Sequence, residues 1–212
     1  KLNLTEEAVS YINRKGEGIK ELSFSSGCGD QDWEPLKAAV GQMHLRSDCW
    51  HIGNFVYPKC KDLYWWYMNS SLLTPLDLII NVTLLYKGAS NRTIPLDLNN
   101  ATWAQWNPEN VTNATYHLAG TSSTSCNFNV EVSFEGMFCY EVHTRRGDNP
   151  TKDAVDVKNL ENRSKGLLVV GSALTYNISG HFKHEVVCPE NAKKLTKPRK
   201  PKEKSRRKAS GK

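Results

Sequence analysis

The sequence predicts a mainly β protein, an antiparallel β-sandwich with one or two short helices, held by disulfide bonds. Two observations carry that expectation. Three segments alternate apolar and polar residues with period two over ten or more positions, and six cysteines form an even set. Alternation of that length means strands with one face on a core and the other in water.

Taken along the chain, the first element is a short helix. Thr5 can cap a turn that starts with Glu6 and Glu7 and carries Val9 and Ile12, ending before Gly16. LSFSSGC, residues 22–28, reads as an early strand leading into a cysteine. After the turn-like GCGDQDW, Glu34 to Val40 is a short helical candidate. Leu63 to Met68, LYWWYM, is a strand with Leu63, Trp65 and Tyr67 on one face and Tyr64, Trp66 and Met68 on the other.

Leu76 to Lys87 is the first alternating segment. It places Leu76, Leu78, Ile80, Val82, Leu84 and Tyr86 opposite Asp77, Asn81, Thr83 and Lys87. Residues 88–113 are rich in turn formers and are expected to be a long connection. Cys126 to Glu135 sets Cys126, Phe128, Val130, Val132 and Phe134 against Asn127, Asn129, Glu131, Ser133 and Glu135. Thr151 to Asn162 reads as a polar helix or a loop. Leu168 to Phe182 closes the series, with Leu168, Val170, Leu174, Tyr176, Ile178 and Phe182 expected on the apolar side.

Nine Asn-x-Ser/Thr motifs occur, at Asn3, Asn69, Asn81, Asn91, Asn100, Asn110, Asn113, Asn162 and Asn177. With 18 asparagines and 30 Ser plus Thr in 212 residues, random placement would yield about 2 or 3 such acceptors. The excess points to N-glycosylation and residence in the secretory pathway. Asn81 and Asn177 fall on the polar parity of their strands, so glycans there would point outward from one glycosylated face. Cys28, Cys49, Cys60, Cys126, Cys139 and Cys188 suit that oxidising compartment and are expected to form three disulfides. Fifteen pairings are open.

No signal peptide opens the chain, so Lys1 is expected to be a mature start. No apolar run reaches the ~18 residues of a membrane span.

Charge divides the chain into a body, residues 1–192, and a basic segment, residues 193–212. The segment KKLTKPRKPKEKSRRKASGK holds eleven cations and one acid, or +10, leaving −4 of the total +6 on the body. It is expected to be disordered. Lys197, Arg199, Lys200, Lys202, Lys204, Arg206, Arg207 and Lys208 are the candidate polyanion-binding residues. The segment reads as a solvated stalk, a substrate for basic-residue proteases around KSRRK, or a polyanion-binding arm; in an extracellular setting the polyanion would be heparan sulfate, with no nucleic acid partner expected.

The sequence contains no GxSxG elbow, no HExxH and no phosphate-cradling glycine loop. No enzyme activity and no cofactor are expected. A metal site is not expected either: there is no CxxC pair, and His181 and His184 are the only closely spaced histidines. The aromatic residues are the candidate contact set. Trp65, Trp66 and Tyr67 lie in the LYWWYM strand, and Trp103 and Trp106 in ATWAQWNPEN. Tryptophan and tyrosine dominate interface hot spots, although a strand buried on both faces would explain the first three as core.

TSCNFNVEVSFEGMFC, residues 124–139, and LSFSSGC, residues 22–28, resemble the cysteine-bounded strands of poxvirus secreted chemokine-binding and related immune-evasion domains. That resemblance covers about a fifth of the chain and implies a β-sandwich. Some members carry basic glycosaminoglycan-binding ends, which the basic segment here is similar to. The long acidic loop such proteins use against chemokines is not evident; Asp148, Asp153 and Asp156 are a thin substitute. Dense glycosylation also resembles the cytomegalovirus immunoglobulin-like glycoproteins, but the Cys…Trp…Tyr-x-Cys order is missing.

The expectation is an extracellular glycoprotein that binds a host immune protein (a cytokine, chemokine or immune receptor) and blocks or sequesters it. The alternative is a receptor-binding viral envelope subunit or a cell-surface adhesion ectodomain.

Overall fold

The computed structural model of the chain describes residues 1–15, 18–25, 33–45, 61–84, 92–99, 103–106, 116–118, 124–143 and 150–189. The fold there is mainly β. Strand β1 (Leu2–Asn3) leads into helix α1 (Leu4–Arg14), followed by β2 (Gly18–Ser23), β3 (Lys37–Val40), β4 (His44–Leu45), β5 (Lys61–Ser70) and β6 (Leu72–Leu73). Next come β7 (Ile79–Leu84), β8 (Arg92–Asp97), β9 (Trp103–Trp106), β10 (Tyr116–Leu118), β11 (Thr124–Glu135) and β12 (Met137–His143). β13 (Thr151–Asp156), two 3-10 turns (Val157–Leu160 and Arg163–Lys165), β14 (Leu167–Val170) and β15 (Ala173–Pro189) complete it. Among the described residues no helix is long and apolar enough to cross a membrane.

β15 organises the largest sheet. β11 pairs antiparallel with it from Thr124↔His184 to Phe134↔Leu174, and β5 pairs along its other edge from Ser179↔Ser70 to Val187↔Lys61. β3 and β4 extend β11, β9 extends β5, and β10 and β14 pair with β15. A three-stranded sheet runs in the order β13-β12-β2, and β7 and β8 make a separate hairpin. One apolar core joins them. Phe128, Val130, Val132, Phe134 and Ile178 of the large sheet share it with Phe138 and Val142 of β12, Ile94 and Leu96 of β8, and Leu4, Ala8 and Ile12 of α1.

The alternation of the 126–135 segment is realised residue by residue. Cys126, Phe128, Val130, Val132 and Phe134 are buried, and Asn127, Asn129, Glu131 and Glu135 are exposed. The same holds at Leu78, Val82 and Asn81.

Several expectations are corrected. The helix starts earlier than Thr5 suggested: Asn3 is the cap, its Oδ1 accepting from Thr5 N at 3.1 Å and Glu6 N at 3.4 Å while Nδ2 donates to Glu6 Oε1 at 3.0 Å. This reciprocal cap satisfies otherwise orphaned amides and brings Leu4 into the buried stripe. Glu34 to Val40 is not helical, because Lys37–Val40 pairs with β11. Leu36 buried, Ala38 and Val40 half-buried, and Lys37 and Ala39 exposed already carry a strand's period.

Thr151 to Asn162 becomes strand β13 and a 3-10 turn capped by Asp156 Oδ1 on Lys158 N at 2.9 Å. Residues 88–113 hold two strands, β8 and β9. Ile94 and Leu96 supply β8's inward face, with Leu98 buried just past its end, and Pro95 is tolerated because β7 is β8's one partner in the described sheets. Leu168 to Phe182 is a hairpin rather than one strand. Gly171, at φ 60°, and Ser172 make a two-residue turn between Val170 and Ala173. The turn resets the phase, so Leu168 and Val170, expected inside, are 41% and 58% exposed.

Glu7 locks α1 to the turn before β14. Its carboxylate, 7% exposed, accepts from Asn162 Nδ2 at 2.9 Å and pairs with Lys165 Nζ at 2.5 Å. Burial pushes this carboxyl up, but the Lys165 and Asn162 hydrogen bonds and the charges of Lys165 and Arg14 outweigh it and hold it below its ordinary 4.5. A group whose folded value is depressed stabilises above its unfolded value and loses that contribution as pH falls through the folded one. The melting temperature should therefore drop more steeply below pH 4.5 for the native chain than for Glu7→Gln. Parallel curves would show that the lock adds nothing.

Candidate binding face

The candidate contact residues are sorted by the pleat of β5. Trp66 points into the core with no exposure, its ring 5.0 Å from Phe182 and 5.5 Å from Phe128. The sequence-based assignment of Trp66 to a partner surface is therefore corrected: on a strand, Trp66 takes the side opposite its neighbours. Trp65 and Tyr67 are half-buried on the outer side.

Registers set the rows of that outer face. His181 stands opposite Tyr67 on one side and Asn127 on the other, and the register carries on from Tyr67 to Trp103. The next row is Ser125, Lys183, Trp65 and Gln105. The Tyr67 and His181 rings stack at 4.6 Å with an 11° interplanar angle, a cross-strand aromatic pair of the kind that stabilises a sheet. Trp106 is opposite Tyr64 in the register, one parity away from Trp103. β9 thus brings the Trp103 position beside the LYWWYM strand, a juxtaposition that the 35 residues between Tyr67 and Trp103 conceal in the sequence.

Polar groups border the aromatic rows. His44 is opposite Asn129, and a shallow depression of about 320 Å³ is lined by His44, Leu45, Asn127, Phe128 and Asn129. Sequence reasoning placed Asn127 on the outward parity of its strand but did not single out His44, Asn127, His181 or Lys183 as contact residues. The odd-numbered parity of 125–131 and 181–183 was the available signal.

Asn69 and Asn177 are both exposed at one end of this sheet. β5 carries one extra residue there, since Ser179 pairs with Ser70 while Gly180 pairs with Met68, and Asn69 is the residue left out of register. Asn177 lies four residues from His181 along β15, about 13 Å at strand rise. Asn81 is exposed on a different sheet, the β7–β8 hairpin. Asn81 and Asn177 thus face outward as expected, but from two sheets rather than one. Asn3 and Asn162 are half-buried, and their side chains make the cap and the Glu7 bond described above. Asn91, Asn100, Asn110 and Asn113 lie outside the described residues.

Cys126 is buried on β11, and Cys139 is buried on β12 and disulfide-bonded. Cys28, Cys49 and Cys60 lie outside the described residues, as does the side chain of Cys188. The basic segment 193–212, including Lys197 to Lys208, also lies outside them.

No protein-family model and no curated protein matches the chain. Two solved structures are similar in outline. One is a non-toxic crystal protein from Bacillus thuringiensis, at 9% identity, with 89% of this chain and 94% of that chain covered and a TM-score of 0.45. The other is the Cry23Aa1 and Cry37Aa1 binary protein complex, at 9% identity, with 89% and 85% covered and the same TM-score of 0.45.

Proposed function

We propose that the chain is an extracellular, disulfide-bonded glycoprotein that binds a host immune protein, acting by blockade or sequestration rather than catalysis. The observation that carries the reading is the outer pair of rows His181–Tyr67 and Lys183–Trp65, with the Trp103 and Gln105 positions in register beside them on β9. Large aromatic side chains with a polar, cationic border have the composition of protein-binding hot spots. The large sheet and the β13-β12-β2 sheet form the two layers of a sandwich around the shared core in this reading, which leaves the outer face of the large sheet to the partner. Glycans at Asn69 and Asn177 would close one end of that face, so the partner docks toward Trp65 and Lys183. The basic segment adds a salt-sensitive attraction for heparan sulfate.

The test is a binding panel of purified chemokines, cytokines and immune-receptor ectodomains, run at 0.5 M salt to screen the basic segment. At least one should bind, and Trp65→Ala with Tyr67→Ala should weaken it by about 30-fold or more, the scale of a hot spot near 2 kcal/mol, in protein that circular dichroism shows still folded at the assay temperature. An empty panel, or binding indifferent to both substitutions, would overturn the proposal.

A further inference from the structure

Asn162 opens onto a polar cavity of about 360 Å³ between α1 and the 3-10 turns, bordered by Ser10, Arg14, Glu161 and Arg163. Small-molecule sites begin at roughly 300 Å³. The orientation of its amide follows from its neighbours. Glu7 can only accept, so Nδ2 faces it at 2.9 Å, and Oδ1 accepts from Ser164 Oγ at 2.7 Å. An amide nitrogen carries two hydrogens, and Glu7 engages one. The second position is the one a sugar would take.

We infer that Asn162 carries an N-glycan whose innermost sugar is seated in this cavity, so that the glycan braces α1 against the turn preceding β14. The inference rests on the glycoprotein reading above. Attachment transfers the glycan from a lipid diphosphate donor. The C1–O bond to the diphosphate breaks, the Nδ2–C1 bond forms, one Nδ2 proton is lost and the lipid diphosphate leaves. The remaining N–H still donates to Glu7, so the lock on α1 survives the modification.

The cavity suits a hexosamine. Arg14, Arg163 and Ser10 can donate to an acetamido carbonyl and ring hydroxyls, and Glu161 can accept from them. Arg163 Nε already holds Glu161 Oε1 at 3.2 Å, and the same oxygen accepts from Val169 N at 3.4 Å. That carboxylate is thereby tied to both the turn and the edge of β14. Asn177 and Asn81, by contrast, sit exposed on their strands.

The experiment uses the full chain secreted from animal cells, digested with peptide N-glycosidase and followed site by site by glycopeptide mass spectrometry. Release at Asn162 should be at least tenfold slower than at Asn177 in the native protein, and equal after denaturation. Ser10→Ala with Arg14→Ala should raise the native rate toward that of Asn177. Equal native rates at the two sites in the unsubstituted protein would overturn the seated sugar, as would a bare Asn162 beside occupied Asn81 and Asn177. Bare asparagines at every motif would overturn the glycoprotein reading as well.

Discussion

Trp66→Ala should destabilise the fold by about 3–5 kcal/mol, the range for removing a large aromatic side chain from a core. Trp66 has no exposure and touches Phe128 edge-on and Phe182 at a tilt, joining the three central strands of the large sheet. Set against the ~5–15 kcal/mol total stability of a typical domain, the loss should appear as a large drop in denaturation midpoint. Trp66→Phe should cost much less. It keeps an aromatic ring in place and removes an indole N–H that has no acceptor among the described residues, a group expensive to bury. Trp65→Ala should cost clearly less, because Trp65 is only half-buried. Equal losses for Trp65→Ala and Trp66→Ala would contradict the pleat described for β5.

Gly180→Ala should also be damaging, although it adds one carbon. A Cβ at Gly180 would collide with the carbonyl oxygen of Tyr67 and lie 2.7 Å from the Phe128 ring. Relief would require moving backbone or a buried ring, which overpacking studies place at typically 1–3 kcal/mol and occasionally more. Gly180 adjoins the β5 bulge, where the β5 backbone crowds β15 and Phe128 fills the space a side chain would need. The register between β5 and β15 depends on that contact. Chemical denaturation of Gly180→Ala is the direct measurement. A change below about 0.5 kcal/mol, ordinary for a surface substitution, would show that the strands part easily at this point.

Where the sequence was misleading, the cause is traceable to particular residues. Glu34 to Val40 has helix-compatible residues, but β11 has backbone groups along its edge that Lys37–Val40 satisfies. Propensity is worth tenths of a kcal/mol per residue, and a ladder with burial outweighs it. In residues 88–113 the many asparagines and threonines concealed β8 and β9, although Ile94, Leu96 and Leu98 kept period two. Leu168 and Val170 were placed inside by counting through Gly171 and Ser172 as if the strand ran on. A two-residue hairpin turn breaks such a count.

Local pattern determined by itself that the chain is mainly β. It also determined which side chains of 126–135 meet the core, that Asn81 and Asn177 face outward, and that α1 begins beside an acidic first turn. These follow from the two-residue strand repeat and from capping, which act between near neighbours in the chain. Only the tertiary structure decided that β15 is the hub of the large sheet and that Trp66 is core while Trp65 and Tyr67 are surface. It alone set the Trp103 position beside Tyr67, in one row with His181 on the far side of β5, and joined Glu7 to Asn162 across 155 residues. Those facts depend on register and on contacts between distant segments. Register is chosen by the fit of whole faces against a common core, a sum over many residues that no single stretch of sequence contains.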